Sequence, residues 1–130
     1  MSVRRIASGG PWENAFGYSR VVIAGPNAYV AGCTAVVDGV VHHEGDPHGQ
    51  ALKAFGLALD ALRLGGFDKE DVVRTRMYVT HARDMAAVGQ AHKELFDAVR
   101  PAATMLVVSK LIDAQMLVEV EIDAYRDGAQ

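Results

Sequence analysis

Arg100-Pro101-Ala102-Ala103-Thr104-Met105-Leu106-Val107-Val108, followed shortly by Leu117-Val118-Glu119-Val120-Glu121-Ile122-Asp123-Ala124, decides how this chain is read. The second run alternates with period two. Met116, Val118, Val120, Ile122 and Ala124 fall on one face, and Glu119, Glu121, Asp123 and Tyr125 on the other, the pattern of a half-buried strand. The first run differs. Ala103, Met105 and Val107 alternate with Thr104, Leu106 and Val108, so both faces are largely apolar, and such a strand needs cover on both. Pro101 ends the helix that precedes it.

Upstream, residues 71–80 repeat the half-buried pattern. Val73, Thr75, Met77 and Val79 form one face; Arg74, Arg76 and Tyr78 form the other. Two helices flank this strand. Asp46-Pro47 opens the first with a capping carboxylate and a proline at the first helical position. Leu52, Phe55, Leu59 and Leu62 recur along it at helical spacing, and Gly65-Gly66 ends it. The second begins near Asp84 and turns Met85, Val88, Leu95 and Val99 inward. Nearer the N-terminus, Gly25-Pro26-Asn27 separates two β-rich runs, 20–24 and 28–33, as a hairpin turn, and Asp38-Gly39 marks a further turn. The order β-β-α-β-α-β-β predicts an α+β fold with two helices on one face of a mixed sheet. Two helices cannot cover both sides of that sheet, so a second copy of the chain is the expected cover for the other.

At 130 residues the chain fits a single domain spanning 1–130. Its net charge of −3 gives no footprint for a polyanion, so nucleic acid is not an expected partner. No apolar run approaches the roughly 20 residues that span a bilayer. The start, Met1-Ser2-Val3-Arg4-Arg5, runs directly into Ser8, Gly9, Gly10 and Pro11 without the apolar core of a secretory signal, so a cytoplasmic, membrane-free protein is expected. Cys33, the single cysteine, allows no intrachain disulfide, and its small apolar neighbours suit a packed thiol. His42, His43 and His48 share a loop but lack metal-ligand spacing, and neither a metal nor a cofactor is expected.

Taken in order, these pieces resemble the YjgF/Rid (reactive intermediate deaminase) family over nearly the whole chain. They are Gly17-Tyr18-Ser19-Arg20, Val30-Ala31-Gly32, Gly66 with Asp71-Val72-Val73-Arg74-Thr75, Pro101-Ala102 and Glu119-Val120-Glu121. The resemblance implies a chorismate-mutase-like fold, a homotrimer, and small-molecule clefts between subunits. In the imine-deaminating branch an arginine two residues after the proline grips the substrate carboxylate. A glutamate at the Glu119 position orients water, and an N-terminal tyrosine closes the pocket. Here Glu119 and Tyr18 match, whereas Ala103 replaces the arginine, Ala31 stands where a serine is frequent, and Gly89 where an asparagine is common. Losing a guanidinium removes a charge-assisted contact of about 1.5–3 kcal/mol. The resemblance therefore implies a branch without standard 2-imino-acid deamination.

Three features offer a different site. Arg76, beside Arg74 and Tyr78, would restore a cation to the cleft, or would pair across the strands with Glu119 or Glu121. Trp12, in Pro11-Trp12-Glu13 ahead of Phe16-Gly17-Tyr18-Ser19-Arg20, would form a lid over a ligand, or would plug the sheet end together with Phe16. Glu119 would act as acid or base if burial raised its pKa. The expected catalytic pair is Glu119 and Tyr18, and the expected ligand-binding residues are Arg76, Trp12, Ala103 and Arg74. The alternatives are a non-catalytic ligand- or partner-binding trimer and, fitting the charge poorly, an endoribonuclease.

Overall fold

The computed structural model describes residues 2–128. In chain order the elements are β1 (Val3–Ile6), α1 (Pro11–Phe16), β2 (Val21–Ala24), β3 (Asn27–Cys33), β4 (Val36–Val37), β5 (Val40–Val41), α2 (Pro47–Leu64), β6 (Val72–Val79), α3 (Met85–Phe96), β7 (Ala102–Val107) and β8 (Val118–Tyr125). Six strands make one sheet in the order β1-β2-β3-β8-β6-β7, antiparallel throughout except for β6–β7. The fold is α+β, as expected, with the expected core order running from β2 to β8. β1, the short α1 and the β4–β5 hairpin add to the expected order. That hairpin turns at Asp38-Gly39, where both residues take positive φ (51° and 78°), the conformation of a tight two-residue turn.

Both long helices pack on one face, with α2 against β3 and β8. The carboxylate of Asp46 accepts a hydrogen bond from the Gly49 amide at 3.0 Å, capping α2 with Pro47 in its first turn. From α2, Phe55, Leu59 and Leu62 are buried, while α3 contributes Val88, Ala91 and Phe96. Phe55 meets Phe96 edge-on, with ring centroids 5.2 Å apart. Gln50, fully buried, donates to the Gln115 carbonyl (2.9 Å) and accepts from the Leu117 amide (2.8 Å), which pins the start of β8 to α2.

Two inward assignments change. Val73 is 49% exposed, and Val72 fills the core position instead. A register shift between Val72 and Arg74 inserts one residue against β8, so the alternation restarts at Thr75. In α3, Phe96 carries the burial, while Met85, Leu95 and Val99 sit half-buried at the core's margin.

β7 is a sheet edge. Ala103, Met105 and Val107 lie opposite Thr75, Met77 and Val79 of β6 and so share the helix-covered side. Only Met105 reaches the core; Leu106 and Val107, on opposite faces, are each about half exposed. The strand is apolar on both faces, and its own chain leaves it largely bare. Among the described residues no helix is long and apolar enough to cross a membrane.

Candidate functional site

The site begins with a break in β3. Val30 pairs with Ile122 and Cys33 with Val120, so three steps on β3 match two on β8, and Ala31-Gly32 bulges out of the ladder. A bulge leaves carbonyls without strand partners. Arg20, which precedes β2, supplies them: its Nη1 donates to the Ala31 carbonyl at 3.1 Å and the Gly32 carbonyl at 2.7 Å, and lies 3.3 Å from Cys33 Sγ. Burial pushes the Cys33 thiol pKa above its ordinary value despite the guanidinium alongside, so the thiol is a packed neutral group.

Glu119, on β8, occupies the space that the bulge opens. A Cβ built on Gly32 would stand 2.0 Å from Glu119 Oε2, so only glycine admits the carboxyl there. Burial raises the pKa of Glu119, the Glu121 charge raises it further, and Arg20 opposes both. Glu13, in α1, is a second carboxylate of the cluster, only 4% exposed and 3.9 Å from Arg20 Nε. Burial works against its charge. Hydrogen bonds from the Ser8 hydroxyl and amide, with help from Arg20 and Gly10, outweigh that and hold its pKa below the usual carboxylate value.

Tyr18 stands beside this group. Its hydroxyl is 3.5 Å from Arg20 Nη2, and its ring centroid lies 5.7 Å from the guanidinium carbon. An open hollow of about 520 Å³ runs past Tyr18 and Glu13 to Arg5 and Val22. Trp12 and Phe16 do not plug the sheet end. They stack nearly parallel on the surface of α1, with centroids 5.5 Å apart, and are 46% and 68% exposed.

Arg76 shares the open face with Glu119, as strand parity requires, but its partner is neither of the two glutamates expected. Nη1 pairs with Asp123 at 3.2 Å, one step diagonal from its register partner Glu121. Glu121 instead accepts a hydrogen bond from the Tyr78 hydroxyl at 2.6 Å, which raises the Tyr78 pKa. Arg74 lies opposite Asp123 in register, further along the strand from Glu119. The cation that acts on Glu119 is therefore Arg20.

Ala103 is not brought to Glu119 within one chain. It lies on the edge strand, on the opposite face, across from Thr75. Thr75 is fully buried, and its hydroxyl is 2.8 Å from His92 Nε2. His92 packs against Phe55 and Phe96, and burial holds its pKa below 6.5. Gly89, one turn earlier on α3, has only the Met105 methyl near its missing Cβ, at 3.9 Å. The chain thus presents two separate clusters. One is polar, around Arg20, Tyr18 and Glu119; the other lies on the opposite face, around Ala103, Gly89 and His92. No group of three or more potential metal ligands occurs among the described residues.

Arg20 and Glu13, expected only as polar groups of an N-terminal lid, form the charged pair of this cluster. A signal was present: inward positions run Ala28, Val30, then Cys33, a change of parity beside a glycine that marks a bulge.

Comparison with known proteins agrees with this architecture. The family model for endoribonuclease L-PSP matches residues 12–126. A Streptomyces coelicolor protein, the uncharacterized SCO2049, is 51% identical over 96% of this chain and 93% of its own length. The RutC family protein UK114 of Drosophila melanogaster is 30% identical over 80% of this chain and 75% of its own. The crystal structure of Mycobacterium tuberculosis Rv2704, a member of the YjgF/YER057c/UK114 family, superposes with a TM-score of 0.87 at 39% identity. That match covers 96% of this chain and all of the other. The chain belongs to the YjgF/Rid family.

Proposed function

We propose that this protein binds a small anionic or carbonyl- or imine-containing metabolite in a pocket between subunits of a homotrimer, and hydrolyses a C=N bond there. Glu119 is the observation that carries the reading. It is a desolvated carboxyl with a raised pKa, seated in a space that only glycine leaves open and acted on by the Arg20 guanidinium, which in turn has the Tyr18 phenol beside it. Such an acid delivers its proton to an imine nitrogen while water oxygen bonds to the imine carbon. The resulting carboxylate then takes the proton of the added water, and the carbinolamine collapses to a carbonyl and ammonia. Tyr18 borders the pocket, Trp12 lies at its lid, and Arg76 and Arg74 line the open face beyond.

Assembly is supported by β7, whose Leu106 and Val107 lie bare, and by Ile112 in the following loop, 62% exposed. Covering that edge with the open face of another copy would bring the Ala103 cluster to the Glu119 cluster. Ala103 also makes this a divergent branch, because its methyl cannot hold a carboxylate as a guanidinium would, and standard 2-imino-acid deamination is not the expected activity. The endoribonuclease description of the family model agrees poorly with the outward acidic row Glu119, Glu121 and Asp123 and with the net charge of −3.

A panel of imines and enamines, assayed for ammonia release next to a melting-temperature panel of small carboxylates, tests the reading. Turnover lost in Glu119→Gln is expected. Ligand-induced stabilisation without turnover would support the second reading, a non-catalytic binding trimer, which the exposed Trp12–Phe16 pair also favours. Light scattering should give about three times the 13.9 kDa chain mass, and a stable monomer would overturn the interfacial pocket.

A further inference from the structure

We propose that Arg20 is the ligand-binding cation of this site, holding a small carboxylate between its outer nitrogen Nη2 and the Tyr18 hydroxyl. The inference rests on the anion-binding reading above and supplies the charge that Ala103 lacks.

The guanidinium divides its donors unequally. Nη1 faces inward and is committed, at 2.7 and 3.1 Å, to the Gly32 and Ala31 carbonyls of the bulge. Nε faces Glu13 at 3.9 Å, too long for a strong hydrogen bond. Nη2 faces outward, and its contact is the Tyr18 hydroxyl at 3.5 Å, at the limit of a hydrogen bond. A guanidinium carries five N–H groups in a fixed fork. The committed side locks that fork in place, so the outer N–H groups are aimed in advance. A preorganised donor loses little rotamer entropy on binding.

Arg76 is the poorer anchor. Its side chain is more exposed, 37% against 14% for Arg20, and Asp123 already neutralises it at 3.2 Å. For Arg20 the nearby carboxylates are differently disposed. Glu13 is held chiefly by Ser8, while burial and the Glu121 charge raise the pKa of Glu119 against the pull of Arg20.

The test uses full-length protein labelled with [15N]arginine and titrated with sodium acetate, with its uncharged isostere acetamide as control and ionic strength held constant with chloride. One guanidinium resonance should move saturably with acetate and not with acetamide. Because Arg76→Gln removes only a partly exposed cross-strand pair, that variant should stay folded and keep the moving resonance. In Arg20→Gln, if it folds, acetate affinity should drop about ten- to one-hundred-fold, the equivalent of one charge-assisted hydrogen bond. Tyr18→Phe, which leaves the bulge contacts intact, should weaken acetate binding by a smaller factor. If the moving resonance is the one lost in Arg76→Gln, Arg20 is excluded while the anionic reading survives. If no arginine resonance responds at saturating acetate, the inference and the anionic reading both fail.

Discussion

Glu119 and Gly32 share one volume: the glutamate Oε2 lies 2.0 Å from where a side chain on Gly32 would begin. The acid is thus placed by the absence of an atom on the neighbouring strand, at a point where β3 has slipped one residue against β8.

Gly32→Ala should therefore displace the Glu119 carboxyl toward water. The obstructing atoms all belong to the flexible Glu119 side chain, so the cost in stability should be small, about 1 kcal/mol or less. The Glu119 pKa should fall back toward its ordinary 4.5. Denaturant unfolding and 13C titration of the glutamate carboxyls measure the two effects. An unshifted titration would mean that the glycine does not set the environment of the acid.

Glu119 also gives stability a pH dependence of known sign. Its folded pKa is raised, so the folded state holds this proton more tightly than the unfolded chain does. The associated stabilisation is complete below the unfolded value and is lost as pH rises through the folded one. Glu119→Gln cannot ionise. Its melting temperature should gain on the wild type as pH rises above the ordinary 4.5, and a difference that stays constant with pH would contradict the assignment.

For the Arg76–Asp123 pair, both side chains are partly exposed, at 37% and 25%, and the bridge spans adjacent strands. A double-mutant cycle with Arg76→Ala and Asp123→Ala should return about 0.2–1 kcal/mol of coupling, screened by added salt.

Ala103 governs the activity expected of the arginine-bearing branch. With 2-aminoacrylate generated in situ, the wild type should release little ammonia above the uncatalysed rate. Ala103→Arg, on an exposed edge strand, should raise that release without loss of stability. Wild-type turnover equal to that of arginine-bearing relatives would show that another residue holds the substrate in that reaction.

Phe55 is central to the helical layer, fully buried and packed edge-on to Phe96 and His92. Phe55→Ala should cost about 3–5 kcal/mol in urea unfolding.

Regular periodicity made most of the fold legible. α2 announced both its ends through Asp46-Pro47 and Gly65-Gly66, and β8 alternated without a fault from Val118 to Tyr125. What escaped was irregular. The bulge at Val72–Arg74 flipped Val73 outward, because a single extra residue inverts the faces of everything on one side of it. The bulge at Ala31-Gly32 hid Arg20 in a related way: the change of parity from Val30 to Cys33 marks the slip, but the partners of Arg20 are the backbone carbonyls it frees, which a side-chain pattern does not name. Strand parity correctly put Arg76 on the face of Glu119, but parity assigns a side and not a partner, and the diagonal to Asp123 was closer.

β8, the last strand of the described chain, lies in the middle of the sheet, between β3 and β6. No portion of the chain ending before residue 118 can close that sheet. Until β8 inserts, β3 and β6 each offer a raw edge, and any extended segment, including one from another nascent copy, can occupy it. Closure of the sheet thus waits on β8. While β8 is delayed, β3 and β6 stay open to mispairing, and a lesion that delays it would harm yield in the cell more than its effect on the finished molecule implies.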